Sequence, residues 1–297
     1  MAVMKRQIST SLALGLRLLV LSLTLASINW NQTTTLLLAE TIPNTSEVNV
    51  LISQTKTNCD PENGCPEDPR GSIANPNTPY IISPFDETNL LNDKPSISWH
   101  AVPGAINYTV RLRDIKGSGL DWERTVDNFS TLDLGEIKMP YPDDAAALQP
   151  GSKYKLIVEA RSQATQKRIE AGTAQFRMLS KEDIEQLREA IEKIDKSNFS
   201  KEEKAFLLSD IYKDKELNAE MREMLEGLVI AGSKKAKIYR LLGDLYRRQG
   251  LIDFAKSRYE IAVRLATTAQ DSKELAAAQA GLNKTNELLK KRNGITP

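Results

Sequence analysis

The stretch Ala236-Lys-Ile-Tyr239-Arg-Leu-Leu242-Gly243-Asp-Leu-Tyr246-Arg-Arg-Gln-Gly250 decides the fold of the C-terminal part of this 297-residue chain. Its large side chains recur at helical intervals and form one face of a helix. Gly243 leaves room for a neighbouring helix, and Gly250 suits a turn that needs positive φ. A second helix is predicted from Leu251 to Ala266, packed back on the first. The stretch therefore predicts a helical hairpin.

The same pattern occurs 34 residues earlier in the chain. That copy keeps the bulk and lacks the glycines, with Ala205, Leu208, Tyr212, Met221, Leu225 and Leu228 at the matching places. The two copies resemble the tetratricopeptide repeat (TPR). The resemblance implies an all-α array over 180–297, with repeats at 202–235 and 236–269. Helices at 181–196 and 272–292 are predicted to flank them, because a lone hairpin cannot bury its apolar face.

In TPR proteins the first helix of each unit lines a concave groove that holds a protein or peptide. The resemblance implies these groove candidates: Phe206, Asp210, Lys213, Lys237, Arg240, Asp244, Arg247 and Arg248. Arginine binds carboxylates through two parallel hydrogen bonds, so the basic end of this set would suit an acidic partner. An ordinary solvated helix face carries similar charges. Both interpretations stay open at this point.

The region 79–179 shows the alternation of apolar and polar residues that marks strands with one buried face. Apolar residues alternate with polar ones from Tyr108 to Leu112 and again from Tyr154 to Ala160. Turn signals such as Pro150-Gly151 separate these segments. Seven or so short strands of this kind predict a β-sandwich.

Two motifs in this region resemble the fibronectin type III domain. They are Ile97-Ser-Trp99 followed by Tyr108-Thr-Val110, and Leu148-Gln-Pro-Gly151-Ser-Lys-Tyr154. The resemblance implies an immunoglobulin-like sandwich in which the hydroxyl of Tyr154 bonds to upstream backbone. The stretch 121–144 departs from the pattern and is expected to be irregular. The expected fold class is multidomain, with this all-β sandwich before the all-α TPR array.

Residues 1–26 have the layout of a secretory signal peptide, with a basic start, an apolar run and Thr24-Leu25-Ala26 as a cleavage site. A membrane anchor is the competing interpretation. However, Arg17 interrupts the run, which is shorter than the ~20 residues that span a bilayer. We therefore expect an exported protein of the periplasm, cell surface or extracellular space. Membrane attachment is expected only through an uncleaved signal segment.

Residues 27–78 are rich in Asn, Thr, Ser and Pro, which predicts a flexible linker. The linker contains Cys59 and Cys65, which would close a small disulfide loop in an oxidising compartment. The pair has no accompanying His or second Cys pair of the kind that binds zinc, so no metal site is expected.

The chain has 40 Lys and Arg, 39 Asp and Glu and a net charge of +1, so no global field indicates a nucleic-acid partner. It lacks the sequence motifs of nucleophile elbows, phosphate loops and zinc proteases. Its single histidine, His100, has no companion that would indicate a catalytic site. We therefore expect a non-enzymatic protein without a cofactor. Its expected role is scaffolding or protein recognition through the groove, with the sandwich as a spacer or second contact.

Two alternatives remain open from the sequence. A carbohydrate-binding module would use exposed aromatic residues of the sandwich, with Trp122 as the best candidate. A hydrolase would use carboxylates that meet only in space. The hydrolase would be favoured by a deep pocket with convergent acids and a raised pKa. The sequence does not indicate an oligomeric state.

Overall fold

A computed structural model of the chain describes residues 73–116, 119–162 and 171–294. All of these residues belong to one compact unit. The predicted signal segment, the predicted linker through residue 72 and both cysteines lie outside the described residues. Within the described ranges, no helix combines the length and apolar character required to cross a bilayer.

A β region precedes a helical region, as the sequence predicted. The described residues form eight strands: β1 (Ile81–Ser83), β2 (Thr88–Leu90), β3 (Ile97–His100), β4 (Ala105–Asp114), β5 (Asp121–Val126), β6 (Glu136–Met139), β7 (Lys153–Ser162) and β8 (Gly172–Met178). One sheet has the order β1-β3-β6 and the other β2-β8-β7-β4-β5. Strands β2 and β8 are parallel, whereas the other pairs are antiparallel.

The predicted alternation produces the buried side of the larger sheet. Val110 on β4 lies opposite Val158 on β7, and both side chains are fully buried. The ring of Trp99 from the smaller sheet lies 5.4 Å from that of Tyr108. The hydroxyl of Tyr154 accepts a hydrogen bond from the backbone N–H of Gln149 at 2.7 Å. The predicted bond from Tyr154 to upstream backbone is thus confirmed.

The stretch 121–144 is more regular than expected. It contains β5, a 3-10 turn at Asp133–Gly135, and β6, which pairs with β3 from Ile97 to His100. The sequence does not show the alternation of apolar and polar residues that would have predicted β6, because the neighbouring residues Glu136 and Ile137 are both buried. The partner of Glu136 lies in the helical region, as described below.

Six helices follow, and the number agrees with the prediction: α1 (Lys181–Asp195), α2 (Lys201–Asp214), α3 (Asn218–Ile230), α4 (Ala236–Arg248), α5 (Ile252–Ala269) and α6 (Ser272–Arg292). Ser200 and Glu203 form a capping box at the start of α2. Asp271 accepts the N–H of Glu274 at the start of α6. These side chains satisfy backbone donors that a helix start leaves without a partner.

Two glycines determine how closely the last three helices pack. A Cβ on Gly243 of α4 would lie 2.8 Å from the ring of Tyr259 on α5, and a Cβ on Gly281 of α6 would clash with the same ring. Gly250 has a φ of 72° in the turn between α4 and α5. The sequence therefore identified correctly why Gly243 and Gly250 are glycines.

The β region and the helices are joined by backbone and side-chain hydrogen bonds. The N–H of Asn89 donates to the carbonyl of Glu216 at 3.1 Å, and its side-chain amide donates to the carbonyl of Lys215 at 2.9 Å. Glu220 on α3 accepts the N–H groups of Leu91 and Asn92. The strands are therefore held directly against the start of α3.

Candidate functional site

Side-chain contacts join α2 to α4, and α4 to the last helix, α6. Lys237 on α4 contacts the ring of Phe206 on α2, with Nζ 4.4 Å from the ring centroid. Arg240 on α4 pairs with Glu274 on α6, which lies 34 residues later in the chain. We call the surface that carries these residues and the other groove candidates the groove face.

The charge of Arg240 is compensated within the helical region. Its Nε lies 2.6 Å from Glu274 and its Nη1 lies 2.7 Å from Asp244, and its side chain is 18% exposed. Burial lowers the pKa of Arg240, but its hydrogen bond to Glu274 and the nearby charge of Asp244 raise the pKa above its usual value. Asp244 also accepts the hydroxyl of Tyr259 at 2.6 Å. This arginine is thus part of the structure's own ion-pair network.

Arg247 and Arg248 lie in the interior, with 6% and 7% exposure, although the repeat pattern predicts them on a solvated groove. Arg247 donates from Nε to the hydroxyl of Tyr259 at 3.3 Å. It lines a cleft of about 70 Å³ together with residues of α6: Lys284, Glu287, Leu288 and Lys291. The length of α6 accounts for the burial of Arg247, since this 21-residue helix extends along the last turn of the shorter α4.

The most open part of the groove face lies between α2 and α4. Asp210 is exposed, while Phe206, Lys213 and Lys237 are half-buried. Although Asp210 is exposed, the surrounding protein desolvates its carboxyl and raises its pKa, while Lys237 and Lys213 act to lower it. Asp210 and Lys237 interact through their charges but do not form a direct ion pair. Polar groups on this part of the groove face therefore remain accessible to a partner.

A second cleft, of about 240 Å³, lies between the smaller sheet and α3. Its walls include Lys138, Ile230 and the glutamates Glu220, Glu223 and Glu226, so it is where a carboxylate-dependent hydrolase would be sought. Burial raises the pKa of Glu220, although two backbone N–H groups act to lower it. The Oε2 atom of Glu220 is itself buried without a hydrogen-bond partner.

Two glutamates of this cleft, Glu220 and Glu226, hold structural contacts, whereas Glu223 is exposed. Oε1 of Glu220 is occupied by backbone N–H groups, and Oε2 has no solvent access. Glu226 accepts hydrogen bonds from Arg258 and from the hydroxyl of Tyr246. The carboxylate oxygens of Glu220 and Glu226 are thus either hydrogen-bonded within the protein or shielded from solvent.

Sequence reasoning missed the buried polar network beside this cleft. Arg222 on α3 contacts Glu136 on β6 and donates to the hydroxyl of Tyr246 at 2.8 Å. Tyr246 in turn donates to Glu226, which also pairs with Arg258 on α5. The partners are distant in sequence, and the pattern of residues therefore contains no local signal that would reveal them.

The two aromatic or titratable candidates of the β region are packed into the structure. Trp122, expected on the surface, is 8% exposed. Its Nε1 donates to the hydroxyl of Tyr141 at 3.3 Å. This burial corrects the expectation because Trp122 lies opposite Leu112 on the inner side of the sheet. Trp122 therefore offers no flat face to a sugar. His100 is packed as well, since it stacks on Tyr80 with ring centroids 4.7 Å apart.

Across the part of the chain that the structure describes, no cluster of three or more His, Cys, Asp or Glu side chains could hold a metal ion.

Comparison with known proteins yields weak structural likeness. No protein family matches the sequence, and neither does any curated protein. The fibronectin type III domain of the human collagen alpha-1(XX) chain is 18% identical with a TM-score of 0.24, covering 37% of this chain and 92% of that one. A β-1,2-glucanase from Parabacteroides distasonis is 10% identical with a TM-score of 0.21, covering 71% of this chain and 35% of that one. Such low TM-scores support no functional argument.

Proposed function

We propose that this chain is an exported, non-enzymatic protein that recognises a partner protein through its groove face. The observation that carries the proposal is the alignment of α2, α4 and α6 by contacts between Phe206 and Lys237 and between Arg240 and Glu274. Equivalent helices placed side by side create a continuous surface, which is how stacked helical repeats bind extended partners. Within this proposal, the helices are a TPR-like array and the strands a fibronectin III-like sandwich.

The β region supports the array from another side. The hydrogen bonds described above connect the strands to α3 and to the turn before it. A further bond joins the N–H of Ala74 to the carbonyl of Gly250, in the turn after α4. Asp210 on the groove face is exposed. This arrangement favours a sandwich that braces the array over one that competes for the partner.

The charge distribution modifies the partner expected from the sequence. Arg240 is compensated by two carboxylates, and Arg247 and Arg248 are almost fully buried. A buried and compensated arginine gains little from a further carboxylate, since the ion pair must repay the loss of its existing contacts. The partner is therefore a protein or peptide whose recognition does not depend on a strongly acidic segment.

The experiment compares capture of cell-envelope proteins by the full chain and by the double variant Phe206→Ala, Asp210→Lys. These positions lie on the open part of the groove face, so the change alters recognition without breaking the Arg240 network. The matched control is Arg188→Glu on α1, because Arg188 is 67% exposed. We expect a partner bound by the parent and the control to be lost from the double variant.

Equal capture of every bound protein by all three forms would reject the groove face as the recognition surface. Circular dichroism of each variant would establish that folding is unchanged. Export is tested separately by cell fractionation and N-terminal sequencing of the mature chain. A cytoplasmic chain that begins at Met1 would contradict the proposed export.

A further inference from the structure

Lys237 and Asp210 are two oppositely charged residues on the groove face, and the ammonium of Lys237 lies over an aromatic ring. Lys237 holds its ammonium 4.4 Å from the centroid of Phe206, and the charge of Lys237 acts on the carboxyl of Asp210. No hydrogen bond or ion pair within the described residues occupies Nζ of Lys237 or the carboxylate of Asp210. An ammonium has three donors and a carboxylate is rich in acceptors, so both retain capacity for a ligand.

The neighbouring Arg240 shows that the local backbone does not prevent ion pairing. Arg240 lies one helical turn after Lys237 and is bound by both Asp244 and Glu274. The ring of Phe206 instead attracts the ammonium of Lys237 through its negative face. The cation is therefore held in place without its hydrogen-bond donors being used.

We infer that Phe206, Asp210 and Lys237 anchor an uncharged peptide group of the partner. In this arrangement Lys237 donates to the carbonyl oxygen of the partner's amide, and Asp210 accepts the N–H of an amide. An adjoining aliphatic side chain of the partner packs on the exposed part of Phe206. The inference rests on the proposed function, which assigns the groove face, and adds the chemistry that this part of the face recognises.

The balance of charges favours an amide over an ion. Asp210 is acted on by the charges of Lys237, Lys213, Asp214 and Arg240. The charge of Arg240 is compensated by Asp244 and Glu274, which leaves two carboxylates and two lysines. A carboxylate that approached Lys237 would be repelled by Asp210, and an ammonium that approached Asp210 would be repelled by Lys237. A residue of an extended peptide presents its own N–H and C=O to the same side, so its two adjacent amides satisfy both groups at once. An extended main chain with neutral side chains fits these requirements.

The test uses a phage-displayed library of random 12-residue peptides, panned against the full-length protein. The selected peptides are then measured individually by fluorescence anisotropy. We expect their average charge to be near zero. Hydrogen bonds to charged groups are strong enough that Asp210→Asn or Lys237→Met should each weaken binding about tenfold or more. The double variant should lose less than the product of the two single losses, because both groups hold the same peptide segment.

Lys256→Met is the matched control, because Lys256 is a half-exposed lysine on α5 that pairs with Glu260 away from the groove face. It should leave the affinities unchanged. Selected peptides that are consistently acidic, and that bind Asp210→Asn as well as or better than the parent, would overturn the inference while leaving the groove face as the binding surface. Failure to obtain a peptide that Phe206→Ala, Asp210→Asn or Lys237→Met weakens would also overturn it. The envelope-protein capture judges the proposed function independently.

Discussion

Arg222 on α3 and Glu136 on β6 form a buried ion pair between the helical and β regions. Nη2 of Arg222 lies 2.7 Å from each carboxylate oxygen of Glu136, and the side chains are 12% and 7% exposed. The same guanidinium contacts Tyr246, which is joined through Glu226 to the rest of the array. A polar network of this kind holds the two regions in one fixed arrangement when each of its groups is satisfied.

Replacing Arg222 with alanine should lower the free energy of unfolding by about 3–5 kcal/mol, because Glu136 would remain buried without its cation. Urea denaturation of the full chain measures the loss. The control is Arg111→Ala, which removes a surface pair with Asp121 whose side chains are 43% and 50% exposed. That change should cost far less than the loss of Arg222, because an exposed pair is screened by solvent. Equal losses of unfolding free energy in the two variants would show that the buried pair stabilises the protein no more than the exposed pair does.

The same network predicts that the β region and the array unfold together. All three tryptophans precede residue 180 in the sequence, and the described ones belong to the β region, so tryptophan fluorescence reports that region. Circular dichroism at 222 nm reports mainly the helices. The two urea transitions of the parent protein should coincide, as two-state unfolding requires. An array that melts at a clearly different urea concentration from the β region would contradict this coupling.

Gly243→Ala should destabilise the protein because the added Cβ would lie 2.8 Å from the ring of Tyr259. Overpacking of this kind costs about 1–3 kcal/mol, partly offset by the gain of roughly 1 kcal/mol from alanine in a helix. Gly227→Ala in α3 is the matched control, since nothing lies within 4 Å of its added Cβ. Thermal unfolding should rank the proteins Gly227→Ala above the parent and Gly243→Ala below it.

The helical part could be predicted closely from the sequence because its signals are local. The period of the apolar residues fixed the helices, and the Ser200–Glu203 capping box fixed a start. Ser233, another residue of a type that commonly caps helices, lies two residues before Lys235, the N-cap of α4. Its hydroxyl accepts the N–H of Lys235 at 3.4 Å and donates to Glu202 at 3.2 Å. A capping residue type in the sequence therefore marks a helix start only to within a residue or two.

The repeat pattern predicts which residues belong to the candidate site, but it does not predict which of their charges are compensated by neighbours. Phe206 is one such candidate, because solvation alone does not explain an aromatic residue at a groove position. The open state of Lys237 depends on where one flexible side chain lies relative to that ring, which no repeat pattern specifies. The burial of Arg247 likewise depends on the length of α6, a feature outside the repeat itself. Neighbouring elements therefore decide which groove charges remain available.

His100 gives a pH-dependent prediction whose sign follows from its burial. Its Nδ1 is buried without a hydrogen-bond partner in the described structure, and burial lowers the pKa of the imidazole, while the more distant Asp253 acts to raise it. The folded protein therefore binds this proton less readily than the unfolded chain, whose histidine has a pKa of about 6.5. The contribution of His100 to stability is present at neutral pH and is lost as the pH falls below that value.

The variant His100→Phe keeps an aromatic ring against Tyr80 and removes the titrating group. Urea denaturation from pH 7.5 to pH 5 measures the unfolding free energy of both proteins. On acidification the parent should therefore lose more unfolding free energy than the variant. Burial raises the pKa of Glu220, which acts with the opposite sign because protonation of that carboxyl favours the folded state. The Glu220 contribution is common to both proteins and cancels in the difference. A difference that stays constant over this range would show that the proton on His100 does not distinguish the folded from the unfolded chain.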